Sequence, residues 1–235
     1  MSDTSINNKR IATNTLFLYL RMGMVLVVSL FTTRMVLQVL GVEDYGINNV
    51  VSGFVTMFAF LNTSMSNGVQ RFYNFSLGKK NEYGITDVYN TALQIQIILS
   101  VILLFLLETF GLWYIHTQMV IPDERFSAAL WVFHFSVLSL VLLVLQIPYS
   151  AAIMAYERMD YYAYLSIFDV MAKLGIAYAI KYAAIDKLIL YGALNMIVSL
   201  VCFFLYYGYA KRQFLRLKHT IGSSACLKGH GAGGE

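Results

Sequence analysis

Long apolar runs, broken at intervals by short polar clusters, dominate the chain from residue 11 to residue 210. A membrane-crossing helix needs roughly 20 mostly apolar residues. Runs of that length extend over 11–40, 47–75, 85–115, 126–155, 161–184 and 188–210. They predict an all-α membrane protein, a bundle of about six transmembrane helices. Strands of an outer-membrane-type barrel would read instead as alternating segments of roughly ten residues. Most runs exceed the minimum, which leaves room for tilt or interfacial extension.

Charge separates the connections into two sets. Lys9 and Arg10 precede the first run, Arg71, Lys79 and Lys80 surround the second connection, and Arg158 lies in the fourth. Lys211, Arg212, Arg216 and Lys218 follow the last run. The alternate connections hold Glu43 and Asp44, then Asp123, Glu124 and Arg125, then Asp186 and Lys187. Basic residues collect on the cytoplasmic side of a membrane protein, so residues 1–10 and the tail 211–235 are both expected in the cytoplasm. An even number of spans meets that requirement. After the basic cluster the tail turns Gly- and Ser-rich and is expected to be disordered.

Composition agrees with this pattern. Charged residues are 13% of the chain and hydrophobic residues 58%, against about 25% and 45–50% in soluble domains. Met1 to Arg10 is polar, and neither a short apolar core nor a small-residue cleavage site follows it, so the first span is read as retained. Cys202 and Cys226 form no disulfide framework. Cys226 and His230 are too few for a metal site, and no cofactor is expected.

Ionisable and amide groups inside spans carry the functional information, because each is costly in lipid and turns toward protein or water. Arg21 lies about ten residues into the first span, roughly 15 Å deep, which fits a cavity-facing cation or a structural salt bridge. Arg34 and Gln38 share a face close enough to the span's end to snorkel. In the second span Asn62, Ser66 and Gln70, and likewise Thr63, Asn67 and Arg71, recur at four-residue spacing and stack on one face. The bland reading is interhelical hydrogen bonding; the length of the run favours a hydrophilic surface. Asn90 and Gln94 share a face in the third span, which also holds Glu108. The fourth contains His134, Gln146 and Pro148, with a kink expected at the proline. Asp169 and Lys173 in the fifth are an i,i+4 pair with the acid first, the better orientation, and fit a structural pair or a functional one equally. The candidate site is therefore Arg21, Asn62, Ser66, Asn67, Gln70, Arg71, Asn90, Gln94, Asp169 and Lys173. Its cationic, amide-rich character suits an anionic or sugar-bearing substrate.

The run Asn8-Lys9-Arg10-Ile11-Ala12, the deep Arg21, Leu40-Gly41-Val42-Glu43-Asp44-Tyr45-Gly46 and Gly68-Val69-Gln70-Arg71 form an ordered series. With Pro148-Tyr149, Ala155-Tyr156-Glu157-Arg158-Met159 and the Asp169/Lys173 pair, it resembles bacterial polysaccharide-biosynthesis flippases. These belong to the exporter superfamily for multidrug, oligosaccharidyl-lipid and polysaccharide substrates. The resemblance covers roughly residues 8–215 and implies a multi-pass transporter in the bacterial inner membrane. Such a transporter moves undecaprenyl-linked oligosaccharides such as O-antigen units, with membrane lipid and the lipid-linked oligosaccharide as partners. It also implies one lobe of a two-lobed exporter, so a truncated product or pairing with a second lobe or another copy is expected. Arg21, Arg71, Asp169 and Lys173 would line that lobe. Two other readings stand beside it: a drug or cation exporter of the same fold, with Glu108 as its carboxylate, and an assembly-only membrane subunit. No phosphate loop, zinc-protease or nucleophile-elbow motif occurs, so neither an enzyme nor a nucleic-acid partner is expected.

Overall fold

The computed structural model describes the backbone of residues 2–78 and 82–229, and side chains within 12–13, 15–78 and 85–212. Among the described residues the chain is helical, without strands. The helices are α1 (Ser2–Thr56), α2 (Phe60–Gly78), α3 (Glu82–Leu106), α4 (Leu112–Gln118), α5 (Asp123–Leu145), α6 (Ile147–Ala155), α7 (Met159–Ala179) and α8 (Lys187–Gly229). Five continuous helical runs are long and apolar enough to cross a membrane: Thr15–Gly78, Ile85–Gln118, Asp123–Ala155, Met159–Tyr182 and Lys187–Arg212. The protein is an all-α, multi-pass membrane protein.

The first run holds 64 residues, about 96 Å if it were straight, some three times the hydrocarbon thickness. It is not straight. Gly41 has φ 82 and ψ 171, a conformation essentially reserved for glycine, and the helix resumes at once on its far side. The turn expected over Gly41–Gly46 is thus compressed to one residue, and the two arms together are long enough for two crossings. Val36 and Leu40 before the break share a core with Ile47, Val51 and Val55 after it, so the two arms fold against one bundle.

Other breaks follow equally simple rules. Pro122 precedes α5, and Pro148 occupies the first turn of α6, where a missing N–H costs nothing. The expected bend in the fourth span falls there, as α5 ends at Leu145 and α6 begins at Ile147. Asp186 caps α8: its Oδ1 accepts the N–H groups of Leu188 (3.0 Å) and Ile189 (3.3 Å), satisfying donors otherwise orphaned at a helix start. Ala151, Ala152 and Ala155 form a small-residue patch on α6 that receives the fully buried Tyr73 of α2, the close approach that membrane helices rely on.

Two ends of the bundle are distinguishable. At the acidic end, Arg125 pairs with Asp44 (3.2 Å) and Asp186 (2.7 Å). One guanidinium therefore joins the break in α1 to the starts of α5 and α8. The basic end carries Arg71, Arg158, Lys211 and Arg212. Lys79 and Lys80 lie outside the described residues, as does the chain from His230 on. The sequence reading closes the last span at Ala210 and expects a flexible tail, whereas α8 continues helical to Gly229. The physical reason is propagation: an established helix extends through Leu, Lys, Arg and Gln without a new nucleation cost.

Candidate functional site

Both arms of α1, together with α5, α7 and α8, enclose a cavity of about 620 Å³, within the size range of small-molecule sites. Three of the sequence candidates, Arg21, Asp169 and Lys173, line it. Arg21 enters from the first arm of α1 and lays its guanidinium over the Tyr162 ring of α7, Cζ 4.5 Å from the ring centroid. That cation–π contact holds the group flat against an aromatic wall. Its Nε is buried and meets no acceptor, and no carboxylate lies within ion-pair distance of Arg21 among the described residues. Of the two expectations for this residue, the cavity-facing cation is the one this geometry matches.

Asp169 and Lys173 form their helical pair, Lys173 Nζ donating to Asp169 Oδ2 at 2.9 Å. The other carboxylate oxygen of Asp169 faces Cys202 Sγ of α8 at 3.8 Å. The pair is electrically neutral and still lines the cavity, so it is both a structural ion pair and part of the wall.

The rest of the polar wall includes Gln146, already noted in the fourth span, and residues that the sequence pattern did not single out: Asn48, Ser52 and Thr56 on α1, Ser136 and Ser139 on α5, Ser166 on α7, Asn195 and Ser199 on α8. Most of their hydroxyls donate backward to their own helix. Ser136 bonds the Val132 carbonyl (2.8 Å), Ser139 that of Phe135 (2.8 Å), Ser166 that of Tyr162 (2.9 Å) and Ser199 that of Asn195 (3.1 Å). Ser52 does the same to Asn48. Back-bonding uses the proton and leaves the oxygen lone pairs as acceptors. The cavity therefore presents hydroxyl oxygens in acceptor mode, with one unpaired guanidinium. Such a wall can take donors from a polyol and an anionic group from the same molecule. The signal was present in the sequence: Asn48-Ser52-Thr56 and Tyr191-Asn195-Ser199 both run at four-residue spacing.

The remaining candidates, Asn62, Ser66, Asn67, Gln70, Arg71, Asn90 and Gln94, are not among the cavity's lining residues. On α2 the residues Leu61, Met65, Val69 and Tyr73 pack into the bundle. Thr63, Asn67, Arg71 and Asn74 stand on the other side and are exposed, as are Asn90 and Gln94 of α3. Asn62, Ser66 and Gln70 lie half-buried at the margin. The structure thus separates two polar surfaces, an internal cavity and an outward stripe, that the sequence reading merged into one. Among the described residues no cluster of His, Cys, Asp or Glu could hold a metal ion.

Compared with protein-family models, with curated proteins and with solved structures, the chain finds no match in any of the three.

Proposed function

We propose that this chain is the substrate-binding bundle of a transporter for lipid-linked oligosaccharides, working in the bacterial inner membrane with its basic end in the cytoplasm. The observation that carries this reading is Arg21: a cation without a carboxylate partner among the described residues, held flat on Tyr162, in a cavity whose wall combines apolar side chains with hydroxyl and amide groups and the Asp169–Lys173 pair. A guanidinium without a carboxylate partner is matched to an anion such as a phosphate or acidic sugar. Hydroxyl oxygens in acceptor mode are matched to sugar hydroxyls. A lipophilic cation would meet a wall of net positive charge, which argues against the cation-exporter alternative.

The outward stripe of α2 and α3 supports a second element of the proposal. Thr63, Asn67, Arg71 and Asn74 are exposed on a helix whose lipid neighbours could not satisfy them. In this reading a second six-helix body, another copy or a separate lobe, faces that stripe, and the polar headgroup and glycan pass between the two.

Binding of a polyprenyl-diphosphate oligosaccharide to the purified chain in lipid nanodiscs tests the reading. Losing a charge-assisted hydrogen bond of about 1.5–3 kcal/mol should weaken binding by roughly ten- to a hundredfold in R21A. R21K retains charge without the flat stack and should fall between. Equal affinity in wild type and R21A, or displacement by an apolar cation, would sink the proposal.

A further inference from the structure

Glu108 is an intramembrane carboxylate that the cavity does not use. It lies in a π-helical turn, Leu107–Gly111, between α3 and α4. Such turns interrupt the hydrogen-bond ladder and recur at functional sites. Glu108 Oε1 stands 3.0 Å from His134 Nδ1 on α5. The two side chains are 34% and 38% exposed, and their neighbours Phe105, Phe110 and Trp131 are exposed apolar residues. The pair therefore sits on the lipid-facing side of the bundle. Each partner is about ten residues, roughly 15 Å, from the acidic end of its helix, a depth comparable to half the hydrocarbon core.

The local packing leaves no slack. A Cβ at Gly111 would come within 2.5 Å of Phe133 Cζ, and Phe133 is the fully buried neighbour of His134. A shift of the π-turn must therefore move this part of α5. Other titratable groups on the surrounding elements are His116 and Tyr114 on α4, and Asp123, Glu124 and Arg125 at the start of α5. Asp44 of α1 is held by Arg125, Asp87 is at the far end of α3, and Tyr191 of α8 lines the cavity. Among the described residues none of these groups comes within ion-pair distance of Glu108 or His134.

Charge counting gives the pair a task. With one exchangeable proton the two groups sum to zero, as carboxylate with imidazolium or as carboxyl with imidazole. Without it they sum to minus one. A lipid-facing surface accommodates the first state far better than the second. We infer that Glu108 and His134 form a proton-binding site, and that proton release accompanies opening of the bundle between the π-turn and α5. The binding step forms one N–H or O–H bond to a proton taken from water, with no redox change. Coupling of that step to substrate movement rests on the transport reading above; the proton site itself does not.

The test uses the full chain in lipid nanodiscs, with infrared difference spectra across a pH series and hydrogen exchange at the π-turn amides. Wild type should show one linked carboxyl and imidazole transition, lost in E108Q and in H134Q and retained in E108D. Exchange at Leu107–Gly111 should rise as the proton leaves. A transition unchanged in both E108Q and H134Q overturns the assignment, as does exchange that is flat with pH in folded wild type. H134Q, on a different helix, keeps the test open if E108Q does not fold. R21A should leave the transition intact, so loss of oligosaccharide binding there would count against the function and not against this site.

Discussion

Gly111 offers the sharpest energetic test of the packing, because its substitution by alanine adds one methyl group to a place with no room. The new Cβ would lie 2.5 Å from Phe133 Cζ, 3.0 Å from Phe133 Cε2 and 3.2 Å from Phe54 Cε1. Carbon atoms pack best at about 3.5–4.0 Å, so the closest contact overlaps by about an ångström. Neither ring can step aside easily. Phe133 is fully buried, and Phe54 is stacked on Tyr114 with centroids 5.1 Å apart. Overpacking of this kind costs about 1–3 kcal/mol. Alanine also gains up to about 1 kcal/mol over glycine in a helix, which, with that gain in full, leaves G111A destabilised by up to about 2 kcal/mol. Gly175 in α7 is the control, since a methyl group added there would meet nothing within 4 Å. At that position the same substitution should be neutral or stabilising by up to about 1 kcal/mol. Equilibrium unfolding in mixed micelles measures both. F133L should relieve G111A, with the double variant better than additive by about 0.5–3 kcal/mol. The packing argument fails if G111A matches wild type, if G175A is the worse of the two, or if the double variant is simply additive.

Two further expectations follow from the acidic end of the bundle. G41A meets open space, so its cost is entirely backbone: a non-glycine residue at φ 82, ψ 171 should lose about 1–3 kcal/mol in the same unfolding assay. G46A, which also meets open space but sits on ordinary helical backbone, should show no such loss. R125Q removes the partner of Asp44, whose side chain is only 8% exposed, and of the α8 cap Asp186; it should cost about 2–3 kcal/mol. Adding D44N to R125Q should recover part of that loss in thermal melts, and a double variant less stable than R125Q alone would mean that the clasp is not what holds this end together.

How much of this was legible beforehand depends on what a periodic pattern can encode. That the chain is built of long apolar helices follows from counting along it, and the structure agrees. The direction of a polar face does not follow from counting. Four-residue spacing places Asn67 with Arg71, and equally Asn195 with Ser199, on one side of a helix; it is silent on whether that side meets the interior. The first pair is exposed and the second lines the cavity, because the apolar face of α2 is committed to α3 and α6 while α8 wraps around the opening with α1, α5 and α7. Ser136, Ser139 and Ser166 were invisible for a related reason. Each is satisfied by its own helix, so a lone serine in a span carries no demand, and only the convergence of separate helices turns them into a wall. His134 shows the limit most clearly. Alone on α5 it reads as a packing residue, and Glu108 alone reads as the carboxylate a cation exporter would need. Their meeting at 3.0 Å depends on a π-turn that shifts the register of one helix by a single residue. A residue pattern with a period of 3.6 cannot announce such a shift, yet the shift decides that these two groups, and not their neighbours, meet.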